Sequence, residues 1–252
     1  MPVIVTRPRQ EALRWVERLR TAQVDALALP LIEIEAVRDL RPLHDAWRRL
    51  ASYRAVMFVS ANAVRHFLAH QEDCAFTVRA WAPGPGTAEA LREAGVHAAA
   101  IDAPAQDAGQ FDSESLWQAV FPQVRAGDRV LVVRGGDAGA RPAGREWLAE
   151  RLADAGAQVD SVVAYERRAP AWGDHERGLA RKAAGDGSTW LFSSSEAIGN
   201  LSALLPGQGW QGANALATHP RIAQAAHDAG FGKVLACRPA FEEVLACLQS
   251  AR

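Results

Sequence analysis

Met57-Phe58-Val59-Ser60-Ala61-Asn62-Ala63-Val64 returns 134 residues later as Leu191-Phe192-Ser193-Ser194-Ser195-Glu196-Ala197-Ile198. Each copy is an apolar run of strand length, a small polar turn and the start of a helically spaced segment, with Ser60 or Asn62 in cap position. Outward from this pair the repeat continues. Ala82–Val96 matches Ala217–Phe231 at an offset of 135, with Pro85/Pro220, Ala88/Ala223, Ala90/Ala225, Ala94/Ala229 and Gly95/Gly230 identical. Val3-Ile4-Val5-Thr6-Arg7 pairs with Val130-Leu131-Val132-Val133-Arg134, and Glu17-Arg18-Leu19 with Glu150-Arg151-Leu152. Gln23-Val24-Asp25 and Gln158-Val159-Asp160 follow as a further match. Strands are expected at Val3–Thr6, Val24–Leu29, Ala55–Val59, Val78–Ala82 and Val96–Ile101, with helices between most of them. Strand and helix alternating in two copies predict two parallel α/β sheets with helices on both faces.

Two extended segments sit at matching points of the repeat. Leu27–Val37 contains the alternating Ile32-Glu33-Ile34-Glu35, and Val162–Pro170 reads Val-Val-Ala-Tyr-Glu-Arg-Arg-Ala-Pro. Both are read as connectors between lobes, and a cleft between lobes is the default ligand site. Tyr165 is the one aromatic hydroxyl on the connectors. The other tyrosine, Tyr53, precedes a strand well away from them.

Composition narrows the function. At 252 residues, one or two domains are expected, each able to bury a core. A net charge of -1 leaves no electrostatic footprint for nucleic acid or an anionic membrane. The bias of 26 arginines over two lysines is that of genomic base composition. Met1 runs at once into a strand, with neither a signal peptide nor a membrane span in view, so a cytoplasmic location is expected. Cys74, Cys237 and Cys247 lack paired metal or redox spacing and are read as free thiols.

In parallel sheets, ligands sit at the carboxyl ends of the strands, where loops enter helix N-termini that attract carboxylates. That end here carries Thr6-Arg7, Ser60-Ala61-Asn62, Gly84-Pro85-Gly86-Thr87, Arg134-Gly135-Gly136, Ser193-Ser194-Ser195 and Thr218-His219-Pro220-Arg221. Taken singly, each is equally a helix cap or a turn glycine. Gly84-Pro85-Gly86 is only a fragment of a dinucleotide fingerprint, because Glu89 replaces the third glycine. His66 and His70 are four apart but have no acidic or cysteine partner in sequence, so they are expected to face solvent rather than hold a metal. No Gly-x-Ser-x-Gly elbow is present to make Ser60 or Ser194 a nucleophile.

These motifs, in this order, resemble the uroporphyrinogen-III synthase family from end to end. The resemblance rests on Val5-Thr6-Arg7-Pro8, Leu29-Pro30-Leu31-Ile32-Glu33-Ile34, Phe58–Val64, Gly86-Thr87-Ala88, Asp112-Ser113-Glu114-Ser115-Leu116, Val133-Arg134-Gly135, Gly144-Arg145-Glu146, Ala164-Tyr165-Glu166-Arg167 and Ser193–Ala197. Family relatives often carry Thr-Ser where this chain has Ser193-Ser194, and the loop near Ala138–Pro142 is unusual.

The resemblance implies two flavodoxin-like α/β domains joined by a two-stranded connector ladder with a cleft between them. Residues 1–34 and 170–252 would form a discontinuous first domain and 38–162 the second, with connectors about 29–37 and 162–170. It implies a monomeric, cofactor-free lyase of porphyrin biosynthesis that closes hydroxymethylbilane to uroporphyrinogen III, with loss of water and inversion of ring D. Its substrate, a linear tetrapyrrole with eight carboxylates, suits helix N-termini and the arginines Arg7, Arg134 and Arg145. The implied binding set adds Ser60, Asn62, Gly84, Gly86, Thr87, Gly135, Ser193, Ser194, Thr218, His219 and Arg221. Tyr165, a phenol protonated at neutral pH, is the expected donor to the leaving hydroxyl. A two-lobed small-anion binder and a nucleotide-dependent enzyme using Gly84–Thr87 are the alternatives.

Overall fold

The computed structural model describes residues 1–71, 75–105, 108, 110–137 and 147–250. The chain opens with β1 (Val3–Val5), α1 (Arg9–Thr21), β2 (Ala26–Ala28), β3 (Glu33–Ala36) and α2 (Arg41–Arg48). Next come β4 (Ala55–Phe58), α3 (Ala61–Leu68), β5 (Arg79–Trp81), α4 (Pro85–Glu93), β6 (Ile101–Asp102) and α5 (Ser113–Val120). They are followed by β7 (Arg129–Gly136), α6 (Trp147–Asp154), β8 (Gln158–Arg168), α7 (Asp174–Ala183) and β9 (Thr189–Phe192). The chain closes with α8 (Ser195–Leu204), β10 (Asn214–Ala217), α9 (Pro220–Asp228), β11 (Lys233–Ala236) and α10 (Phe241–Ser250).

Two compact units result, Met1–Glu33 with Arg168–Arg252, and Ile34–Arg167. The first holds a five-stranded sheet in the order β11-β10-β9-β1-β2. Counted along the chain, this is the doubly wound order 2-1-3-4-5. The second holds β3-β8-β7-β4-β5-β6, in which β7 and β8 take the places that β1 and β2 occupy in the first. Each unit is thus an α/β layer structure, and the pairs β1–β2, β1–β9, β9–β10, β10–β11, β4–β5, β4–β7, β5–β6 and β7–β8 are all parallel.

Apolar runs on both faces explain why these strands read as continuous hydrophobic stretches. On β4, Val56 and Phe58 enter one core cluster while Ala55 and Met57 enter another; on β7, Leu131 and Val133 divide from Val130 and Val132 in the same way. Phe58, Phe67 and Trp81 are fully buried, each large side chain contributing about 1.5–3 kcal/mol of transfer free energy. In the first unit, Trp190, Phe192, Trp210 and Phe231 stack into one aromatic group beside the sheet.

The segments expected as connectors become strands of the second sheet, with β3 the edge strand hydrogen-bonded along β8. A span of 38–162 therefore omits β3 and the last turn of pairing on β8. Just before β3 the chain is tied into the first unit, where Trp172 Nε1 donates to Pro30 O at 3.2 Å and Asn200 Nδ2 donates to Leu31 O at 2.8 Å.

Two sequence expectations are corrected. Residues 96–101 are not one strand: Ala98–Ala100 form a 3-10 turn with Ala99 N donating to His97 Nδ1 at 3.3 Å, and only Ile101–Asp102 join the sheet. Alanine's weak strand preference accounts for the difference. The Gln-Val-Asp match is two residues out of phase. Gln23 occupies the left-handed region at φ 59 after α1, and its counterpart after α6 is Gly156 at φ 82. Val24 N donates to Leu19 O and Ala157 N to Leu152 O, the same helix-ending bond in each copy.

Candidate functional site

In each sheet the order of connection reverses at one point, between β9 and β1 in the first unit and between β4 and β7 in the second. Crevices at the carboxyl ends of the strands at such points are where open α/β sheets bind ligands. In the second unit that end gathers Ser60, Asn62, Arg134, Gly135 and Tyr165.

Ser60 is extended (φ -164, ψ 166) and caps α3, its Oγ accepting from Ala63 N at 3.2 Å. The same Oγ lies 3.0 Å from the Tyr165 hydroxyl. Tyr165 reaches it because β8 is irregular. Arg134 stands opposite Val163 but Gly135 opposite Tyr165, so Ala164 is an extra residue in the ladder. Side chains of consecutive strand residues face opposite ways, yet Ala164 and Tyr165 both pack into the same core cluster. The bulge is what turns the phenol toward β4.

Gly135 is there for the same reason. A Cβ built on it would stand 2.7 Å from two ring carbons of Tyr165 and 2.9 Å from its hydroxyl. The phenol ring therefore lies directly over a backbone that only glycine leaves open, and Tyr165 is 3% exposed. His66, on α3, stands with its ring 5.5 Å from that of Tyr165 at 33°. Burial, then His70 and Arg65, lower its pKa, so the ring beside the phenol is the neutral imidazole. The expectation that His66 faces solvent is thus wrong: it is half-buried against the phenol. Sequence spacing carries no sign of this contact, whereas Gly135-Gly136 at the end of a buried strand is a legible mark of close backbone approach.

The remaining expected residues of this unit are placed nearby on the same sheet edge or tied locally. Asn62 Oδ1 accepts from Arg65 Nη1 at 3.3 Å. Arg134 is buried at 5% exposure. Gly84 caps α4 without a side chain and packs against Phe111, Gly86 is exposed, and Thr87 is buried in the first turn of that helix. Arg145 lies outside the described residues, as does the loop at 138–142.

In the first unit, Ser194 repeats the cap, accepting from Glu196 N at 3.2 Å, with Ser193 half-buried before it. His219 caps α9 through Nδ1, which accepts from Arg221 N at 3.1 Å; Thr218 is buried and Arg221 exposed. Arg7, the counterpart of Arg134, pairs with Glu11 at 3.5 Å and lies 4.2 Å over the Trp15 ring. Burial lowers its pKa, opposed by Glu11. Where the second unit places Tyr165, the first has the apolar run Leu29-Pro30-Leu31-Ile32, so its cap serine faces no phenol from that strand.

Among the described residues, no cluster of three or more His, Cys, Asp or Glu is placed to hold a metal ion. No described helix is long and apolar enough to cross a membrane.

The family model for uroporphyrinogen-III synthase HemD matches residues 14–246. The chain belongs to the uroporphyrinogen-III synthase family. Among relatives, the uroporphyrinogen-III synthase of Salmonella typhimurium is 31% identical over 210 residues, covering 82% of this chain and 80% of that one. That of Synechococcus elongatus is 30% identical over 176 residues, covering 67% of this chain and 61% of the relative's length. Among solved structures, the synthetase of Helicobacter pylori is similar with a TM-score of 0.62 at 19% identity, over 100% of both chains. A mutant synthase of Thermus thermophilus follows at 0.57 and 17%, over 100% of this chain and 97% of that one. These two likenesses are of fold; the synthase family itself rests on the sequence matches.

Proposed function

We propose that the chain is a cofactor-independent uroporphyrinogen-III synthase, closing hydroxymethylbilane with loss of water and inversion of ring D. The observation that carries this, beyond family membership, is the Ser60–Tyr165 hydroxyl pair, 3.0 Å apart at the switch point of the second sheet. Loss of the terminal hydroxyl needs a proton donor, and the pair supplies one beside a helix N-terminus that favours the bilane's carboxylates. The bilane can also close unaided to the uninverted isomer, so the rest of the task is holding a reactive shape. Ser60, Asn62, Gly84, Gly86, Thr87, Arg134, Gly135 and Arg145 are assigned to substrate binding from the second unit, and Arg7, Ser193, Ser194, Thr218, His219 and Arg221 from the first. Ser60 and Ser194 offer the best-supported contacts, being half-buried caps. Arg7 is the weakest member of the set, since Glu11 already neutralises it.

The test is incubation with hydroxymethylbilane after exhaustive chelation and dialysis, followed by separation of the porphyrin isomers. The inverted isomer should predominate; only the uninverted isomer, formed at the buffer's own rate, would refute the assignment. We further propose that the enzyme works as a cytoplasmic monomer whose two units are separate domains, the first discontinuous. Residues 34–167, which include β3 except Glu33 and β8 except Arg168, should unfold cooperatively as a fragment, whereas 1–126 should not, lacking the β7 that β4 pairs with and the β9 that β1 pairs with.

A further inference from the structure

We propose that Ser60, rather than Tyr165, hands the proton to the departing hydroxyl, with Tyr165 resupplying it from behind; this rests on the synthase reading above. Tyr165 is 3% exposed and its ring lies over Gly135, while Ser60, at the N-cap of α3 just past the carboxyl end of β4, is half-buried. A hydroxyl has one proton to give and two lone pairs to receive. One lone pair of Ser60 Oγ takes Ala63 N–H at 3.2 Å, the bond that caps α3. The Tyr165 oxygen at 3.0 Å occupies the second site. Of the two hydroxyls the phenol is the stronger acid and so the better donor. With both lone pairs of Ser60 filled, its own proton is left directed away from both partners. Two received hydrogen bonds also polarise that O–H and strengthen it as a donor.

The step balances without a co-reactant. The carbon–oxygen bond to the terminal hydroxyl breaks with its electron pair passing to oxygen, which takes the Ser60 proton and leaves as water. Ser60 Oγ takes the Tyr165 proton in the same motion. A phenolate and a cationic azafulvene remain, opposite charges formed together. After spiro rearrangement and final closure, the attacking pyrrole carbon sheds its hydrogen as a proton and restores the phenol.

Glycine is nearly as good an N-cap as serine, so Ser60→Gly removes the hydroxyl while keeping the helix, and Ser60→Thr keeps both. Steady-state turnover of hydroxymethylbilane should fall about 100-fold or more in Ser60→Gly with KM within about threefold, and stay within about tenfold of wild type in Ser60→Thr. Tyr165→Phe should fall comparably, and Ser60→Gly/Tyr165→Phe should lie within about threefold of the worse single variant, because both act in one chain. Turnover in mixtures of H2O and D2O should bow for wild type, two protons moving together, and run straight for Tyr165→Phe. The proposal fails if Ser60→Gly turns over within about threefold of wild type, if Ser60→Thr drops as far as Ser60→Gly, if the two losses multiply, or if the wild-type isotope plot is straight. A wild type that yields only the uninverted isomer sinks the synthase reading as well, so the two failures are distinct.

Discussion

Two phenols are equally buried, Tyr53 bonded to Asp160 near the start of β8 and Tyr165 on β8 toward its carboxyl end: both are 3% exposed. Their partners differ. Tyr53 donates to Asp160 Oδ2 at 2.7 Å, the carboxylate is also held by Arg129 Nη2 at 2.6 Å, and the Arg129 guanidinium lies 5.1 Å from the Tyr53 ring. Burial, and then the Asp160 carboxylate, push the Tyr53 phenol up to about 12. Its proton is locked. Tyr165 instead meets the neutral, half-buried Ser60 hydroxyl at 3.0 Å, which in the relay proposed above takes the phenol's proton and passes on its own. Burial alone does not mark a tyrosine as structural; the charge and exposure of its hydrogen-bond partner do.

The sharpest way to break this comparison is to remove both hydroxyls separately. Tyr165→Phe should lower turnover by about 10² to 10⁴, the usual worth of general acid assistance, with little change in KM. Tyr53→Phe should leave turnover within about threefold but cost about 1 to 2 kcal/mol in urea unfolding, since it strips a bond from a partly exposed carboxylate. If Tyr53→Phe lost the activity and Tyr165→Phe only the stability, the roles would be reversed.

Gly135→Ala comes next. Its new methyl cannot coexist with the Tyr165 ring at 2.7 Å, so the phenol must move away from Ser60. Turnover should drop about 10- to 100-fold with about 1 to 3 kcal/mol of destabilisation, the range for overpacking. In a Tyr165→Ala background, the same substitution should cost less than half as much stability. An undiminished cost there would place the clash elsewhere.

The Tyr53–Asp160 pair also sets a pH window. Its phenol is raised, so it contributes stability fully below the ordinary tyrosine pKa of about 10, and that contribution is lost as pH rises toward about 12. Asp160 is lowered, chiefly by the Tyr53 hydrogen bond, so its contribution is present above the ordinary aspartate pKa of about 3.9 and fades as pH falls below it. The stability gap between wild type and Tyr53→Phe should therefore be widest from about pH 5 to 9 and narrow on both sides. A gap that is flat from about pH 3 to 11 would remove the linkage.

The smallest effect belongs to His66. Its lowered pKa means that the neutral ring stabilises the fold above the ordinary histidine value of about 6.5, with the contribution lost as pH falls through the folded value. His66→Gln should flatten the mild loss of stability below about pH 6 while leaving the alkaline side unchanged, read by thermal unfolding.

Much of this was legible in the residues. The two copies of strand, polar turn and helix declared themselves through Phe58/Phe192, Ser60/Ser194 and Gly95/Gly230, because sheet-flanking turns need the same caps and the same left-handed glycine each time. Tyr165 was visible as the hydroxyl on an extended segment. The bulge at Ala164 was not, since nothing in Val162–Arg167 distinguishes an irregular ladder from a regular one, and it alone decides which face the phenol takes. His66 was misread because helical spacing fixes its face on α3 but not what β8 brings against it. The false Gln-Val-Asp match arose where Gln23 performs the turn that Gly156 performs in the other copy, so identity of letters outran identity of backbone.

Thr6 donates to Leu191 O across 185 residues of chain, and β1 pairs with β9 beside it. At a synthesis rate of about 5 to 20 residues per second, the opening strand waits about 10 to 40 s for its central neighbour, holding only the adjacent β2 in the meantime. All six strands of the other sheet, by contrast, are made within that interval. The sheets are therefore completed in a different order from that in which they are begun: the middle of the chain can close first, and the opening strand, carrying Val3, Ile4 and Val5 without β9 until then, is the part of the nascent protein for which chaperone protection matters most.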